Sequence, residues 1–130
     1  MYSKITHDIK VTVTPIFIGD QSRPNTSNYV WAYHIIIENK GTEIVQLLDR
    51  TWHITDSTGG IQNVEGPGVV GYQPLIRPNE YFEYTSGVNL ATDSGFMEGK
   101  YRFQNLDAKT FDVDIPVFPL DIPNKDVVIN

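Results

Sequence analysis

Gly66, Gly68 and Gly71 carry the G-x-G-x-x-G spacing, in the run Gly66-Pro-Gly-Val-Val-Gly-Tyr-Gln-Pro74. Such spacing lets backbone amides approach a pyrophosphate, provided a helix starts after the last glycine and turns its N-terminus toward the anion. Here Pro74 and Pro78 follow closely. Proline removes an amide donor, clashes inside a helix and pushes the residue before it toward extended geometry. The context therefore excludes a dinucleotide-binding strand–helix unit and predicts an extended chain after Gly71. What remains is a glycine-rich loop with Val69 and Val70 at its centre. One reading is an amide nest for pyrophosphate or a nucleotide at Gly66, Gly68 and Gly71, with Arg77 as the counter-charge. The other is a loop whose glycines simply permit positive φ. The second is favoured, because a lone motif match often arises by chance and Pro67 removes one amide from the nest.

Other chemistry-bearing residues are sparse. His7, His34 and His53 have no close mutual spacing, so no metal site is expected. His53 and Asp56 point to opposite faces if their strand is regular. Asp112 and Asp114 share a face and could hold a hard cation. Their alternation with Phe111, Val113 and Ile115 reads better as a solvated strand face. Arg50 shares a parity with Leu48 and Trp52; it could stack on the indole or grip an anion, but covering the core edge with its stem is favoured. Ser86 lacks a nucleophile elbow, and there are no cysteines. No nucleophile–base set results, so neither catalytic residues nor a cofactor is expected, and the chain reads as a non-enzyme. Tyr72, Tyr81, Tyr84 and Tyr101 could form an interface or line the rims of a β-sandwich.

The elements that would position these residues are all strands. At 130 residues the chain suits a single domain over 1–130. Period-two alternation marks Ile5–Phe17, with Pro15 ending the strand, bulging it or sitting at an edge. It continues in Tyr29–Glu38, apolar on both faces and so central. The long stretch Ile44–Asp56 has adjacent Leu47 and Leu48, which predicts a bulge or break near Asp49. Ile61–Val64 would pair back on it as a hairpin. Tyr81–Asn89, Phe96–Gln104 and Phe111–Val117 follow. No segment shows a helical apolar period. Seven or eight strands with frequent turns predict an all-β sandwich or barrel. The tail from Leu120 reads as loosely held.

A net charge of −6 and a pI near 4.8 argue against nucleic acid or an anionic membrane as partner. No apolar run approaches a membrane span, and the N-terminus lacks the apolar core of a signal peptide. A cytoplasmic location is expected. The N-terminal strand, if it lies at an edge, could pair across a two-fold in a homodimer.

Several segments together resemble the ApaG family: Tyr33-His-Ile-Ile-Ile-Glu-Asn39, Gln46–Asp56, Gly66–Leu75, Tyr84-Thr-Ser-Gly87, Met97-Glu-Gly-Lys-Tyr101 and Ile115-Pro-Val-Phe118. The resemblance implies an immunoglobulin/fibronectin type III-like β-sandwich. It also implies an association with cobalt resistance and magnesium efflux, without a transport mechanism or catalytic residues. Similar domains inside larger eukaryotic proteins point to a protein-interaction module with a partner still to be identified. Pyrophosphate or nucleotide binding at the glycine motif is the alternative. This chain has Asn79 where the family usually has glycine, a residue that also tolerates left-handed turn geometry.

Overall fold

A computed structural model describes residues 1–123. Among these, nine strands form two antiparallel sheets packed face to face. The strands are β1 (Tyr2–Thr6), β2 (Ile9–Phe17), β3 (Tyr29–Asn39), β4 (Val45–Asp56), β5 (Ile61–Pro67), β6 (Leu75–Ile76), β7 (Tyr81–Leu90), β8 (Gly95–Asn105) and β9 (Thr110–Leu120). One sheet runs β1-β2-β3-β7. The other runs β5-β4-β8-β9, with the short β6 pairing on β4. Two short 3₁₀ turns, Gly19–Gln21 and Pro24–Thr26, fill the loop between β2 and β3. The expected all-β sandwich is the fold found.

The alternation read from the sequence sets the inner faces. Ile9, Val11 and Val13 of β2 and Trp31, Tyr33, Ile35 and Ile37 of β3 are buried against Trp52, Met97, Tyr101, Phe103 and Phe118 of the facing sheet. Tyr33 packs edge-on against Trp52 at 5.3 Å between ring centroids. β3 is central, between β2 and β7.

The N-terminal segment is two strands rather than one. His7 and Asp8, with φ of 49° and 64°, form the tight turn between them. A two-residue turn with both φ positive matches the twist of a hairpin, but glycine and asparagine usually signal it, and neither is present here. Pro15 stays inside β2. The ladder with β1 ends at Val13, so the missing N–H of Pro15 lies beyond the neighbouring strand.

The break foreseen near Asp49 is a bulge: the β4–β8 register shifts between Leu47 and Asp49. Val45 and Leu47 are buried before it, Trp52 and Ile54 after it, so the inward parity changes from odd to even. β5 is longer than Ile61–Val64. It runs on to Pro67 and takes Gly66 and Pro67 into the ladder opposite Arg50 and Asp49. An edge strand accepts proline there because no further strand needs its amide.

The two long sides of the sandwich differ. At one, β1 meets β9: the Asp114 N–H donates to Thr6 Oγ1 at 3.3 Å, and Lys4 Nζ lies 2.9 Å from Asp114 Oδ2. The opposite side, between edge strands β5 and β7, holds a cleft. Leu120 is fully buried, and Trp31 Nε1 donates to the Asp121 carbonyl at 2.8 Å. Of the tail expected to be loose, residues 124–130 lie outside the described residues.

Candidate functional site

The β4 bulge determines where Arg50 goes. It shares a face with Trp52 and Ile54, so its side chain enters the space between the sheets near the β5 edge. Its Nη1 donates to the carbonyls of Pro67 and Gly68, each at 3.0 Å. Gly66 makes this possible: a Cβ there would sit 3.1 Å from Nη1.

The rest of the glycine segment is a folded hairpin tip. The Val69 N–H donates to the Tyr72 carbonyl and the Tyr72 N–H to the Val69 carbonyl, both at 2.8 Å. Val70 and Gly71 between them have φ of 43° and 87°, the signature of a type I′ turn. Gly68 has φ of 62°, and a Cβ on it would overlap the Tyr72 carbonyl oxygen. Its N–H donates to the Leu48 carbonyl at 2.8 Å, which also accepts from Gln73 Nε2 at 2.8 Å. The bulge in β4 and the glycine tip are thus tied at one oxygen. Each glycine has its own architectural reason: room for a guanidinium, a backbone crossing, a turn.

Val69 is fully buried and anchors the tip. Val70 and Tyr72 instead are 50% and 62% exposed. The Tyr72 ring lies 6.1 Å from that of Phe82 on β7. The tip therefore bridges the open side of the sandwich and shows solvent an apolar surface.

Arg77 is placed elsewhere. It sits in the turn after β6, where its backbone N–H donates to Glu80 Oε1 at 3.2 Å and its Nη1 lies 3.8 Å from the same oxygen. The arginine that meets the glycine segment is Arg50. Sequence distance favoured Arg77; the bulge and the β4–β5 pairing bring Arg50 there instead.

Two cavities meet at Arg50. One, of about 770 Å³, lies over the outer face of the second sheet, with His53, Glu65, Lys100, Arg102 and Asp112 in its walls. Three of its charges are paired with one another: Asp112 lies 3.3 Å from Lys100 and 3.4 Å from Arg102. Slight desolvation pushes the Asp112 carboxyl up, but hydrogen bonds from both cations outweigh it and hold it below the ordinary range. The other, of about 420 Å³, is the cleft between the sheets, lined by Tyr33, Arg50, Trp52, Gln62, Ser86 and Asn89 among others. The sequence shows no sign of Gln62 and Asn89 here and offers Ser86 only as a nucleophile without an elbow; the three come from strands far apart in the chain. The adjacent leucines at 47 and 48 were the only available signal, because they mark the parity change that sends Arg50 inward.

Behind the cleft is a buried phenol cluster. Tyr84 and Tyr101 share a hydrogen bond of 2.6 Å between their hydroxyls. Burial pushes both phenols up, and Tyr33 as well; the nearby Arg50 charge opposes the rise at all three.

The histidines do not converge. His34 contacts Thr85 Oγ1 at 2.7 Å and Glu83 Oε2 at 3.2 Å on the outer face of the first sheet. His53 contacts Asn63 Oδ1 at 2.6 Å on the second. Among the described residues no three His, Cys, Asp or Glu side chains cluster as metal ligands. Asp112 and Asp114 pair with different cations.

A small two-sheet antiparallel domain, with a glycine hairpin clasped by an inward arginine, is the class that fold and site define. Residues 19–105 match the family model described as the ApaG domain. The chain is 53% identical over 124 residues to Protein ApaG of Parvibaculum lavamentivorans, covering 95% of each. It is 51% identical over 130 residues to Protein ApaG of Paramagnetospirillum magneticum, covering all of both chains. A crystal structure carrying the ApaA name, from Bordetella pertussis, superposes with a TM-score of 0.88 at 43% identity, over 91% of this chain and 96% of that one. The chain belongs to the ApaG family.

Proposed function

We propose that the protein is a non-catalytic binding module that engages a partner protein through the glycine hairpin tip. The observation that carries this is the pairing of a buried Val69 with exposed Val70 and Tyr72 on one rigid turn. A β-branched residue held at φ of 43° is strained, and strain persists where the surrounding structure enforces it, often at functional positions. Exposed aromatic and aliphatic groups on a fixed scaffold are what an interface anchor requires. The family resemblance supports a link to cobalt resistance and magnesium efflux. On this reading it acts there through its partner in the cytoplasm and not as a transporter. No helix among the described residues is long and apolar enough to cross a membrane.

Pyrophosphate or nucleotide held by Gly66, Gly68 and Gly71 has less to support it. The amides of Gly68, Val69 and Tyr72 donate to protein carbonyls, and Arg77 is turned to Glu80.

The test is an affinity capture comparing the parent protein with two surface variants. Val70→Asn/Tyr72→Ser alters the tip while keeping turn-compatible chemistry. Ile61→Ser removes an equally exposed apolar residue at the far end of β5. A partner held by the parent and by Ile61→Ser, but lost by the tip variant, is expected. Equal retention by all three proteins overturns the reading.

A further inference from the structure

We propose that the cleft between the sheets is a binding site for a small polar carboxylate, with Arg50 as the anion-binding group. This goes beyond the partner-binding role of the tip and does not depend on it.

Three observations carry it. First, Arg50 is a half-buried cation without a counter-ion. Among the described residues no carboxylate lies within ion-pair distance of it. Its Nη1 is engaged by two neutral carbonyls, which satisfy a donor but cannot neutralise the charge. A partly desolvated charge favours a site where an opposite charge can join it. Second, the guanidinium borders a cavity of about 420 Å³, a volume suited to a small ligand. Third, the other walls supply directional hydrogen-bonding groups: the hydroxyls of Tyr33 and Ser86, which interact with each other, and the side-chain amide of Gln62. These fit a ligand that carries hydroxyl or amino groups beside its charge.

The charge count selects the class. One guanidinium in a chain of net charge −6 balances one negative charge. Pyrophosphate and nucleotides carry several, and the cationic neighbours across β4, Lys100 and Arg102, are already paired with Asp112. A planar carboxylate also matches the fork of a guanidinium. No residue of the glycine segment Gly66–Tyr72 lines the cleft. Its ligand contacts side chains and needs no amide of the glycine turn.

The test is a titration of the ¹⁵N-labelled full chain with glycolate, lactate and glycine, with pyrophosphate as a separate arm, followed by NMR. Saturable shifts of the Arg50 side-chain Nε–H, the Trp52 indole N–H and the Ser86 amide at millimolar carboxylate are expected. Arg50→Gln keeps most of the stem and removes the charge, so affinity should fall by about tenfold or more, the loss typical of a charge-assisted hydrogen bond. Because Arg50 also holds the hairpin, Ser86→Val serves as a second variant: it removes a hydroxyl from the cleft wall without touching the hairpin and should weaken binding. Carboxylates that leave all three signals unmoved overturn the proposal. So does unchanged affinity in a folded Ser86→Val protein. Pyrophosphate shifting the Val69–Tyr72 amides, with no carboxylate response in the cleft, would overturn it and support the loop reading instead.

Discussion

The three glycines share a motif but differ in what each one prevents. At Gly71 the φ is 87° and nothing lies within 4 Å of an added Cβ. Gly71→Ala should therefore cost only the left-handed penalty, about 1 kcal/mol. At Gly68 a Cβ would run into the Tyr72 carbonyl, a backbone atom that cannot swing away. Gly68→Ala should cost at least about 2 kcal/mol more than Gly71→Ala, since overpacking adds to backbone strain. Chemical denaturation of the two variants checks the difference; equal losses would mean the tip relaxes. Val70 runs the other way. Asparagine suits the first central position of a type I′ turn, so Val70→Asn should stabilise by about 1 kcal/mol while weakening partner capture. The buried phenols set a pH limit. Tyr33, Tyr84 and Tyr101 are all raised above their ordinary value, chiefly by burial. The folded state then keeps protons that the unfolded state releases above about pH 10. Stability should be full below that pH and fall above it, by up to about 1.4 kcal/mol per pH unit for each tyrosine. Tyr84→Phe/Tyr101→Phe should flatten that alkaline limb in thermal melts. Tyr101→Phe alone should cost about 1–3 kcal/mol at neutral pH by stranding the Tyr84 hydroxyl.

Among the elements, β4 is the one on which the site depends. Its bulge lets Val45, Leu47, Trp52 and Ile54 all face inward and delivers Arg50 to the cleft. Deleting Leu48 would remove the extra residue, and a one-residue slip moves a strand's side chains to the opposite face. Val45 and Leu47 would turn outward, each forfeiting about 1.5–3 kcal/mol of burial. Loss of the cooperative melt by circular dichroism is expected. The strands themselves were legible in the sequence because alternation reports directly on a half-buried sheet. Tyr29–Glu38 read as central, Leu47-Leu48 as a bulge or break, and the prolines after Gly71 as a bar to a helix. The His7–Asp8 turn was not legible, since no glycine or asparagine marks it. Neither was the extension of β5 through Gly66 and Pro67, because edge pairing tolerates residues that sequence patterns assign to loops. The role of Arg50 was hidden for a different reason. Its neighbours in space come from β5, β7 and the glycine tip, and strand order across two sheets is a long-range property.

At the scale of the whole molecule, the sandwich is closed along β1 and β9 and holds its cleft between β5 and β7. The central strands β3, β4 and β8 are paired on both sides, whereas among the described residues β5 and β7 each have one unpaired edge. Amide hydrogen exchange should therefore be slowest in β3 and β8 and faster along β5 and β7, since edge backbones open without global unfolding. The glycine tip spans that open side, so one small feature both completes the wall of the sandwich and shapes what it displays. In this chain the triplet thus serves architecture first, and on the proposed reading recognition falls to the side chains that the architecture presents.

The most direct measurement is the response of the Gly68, Val69 and Tyr72 amides to pyrophosphate with magnesium, followed by NMR together with their exchange rates. Expected are slow exchange and unmoved resonances, because these donors are already bonded to the carbonyls of Leu48, Tyr72 and Val69. Saturable shifts at those three amides would contradict the architectural role assigned to the glycines.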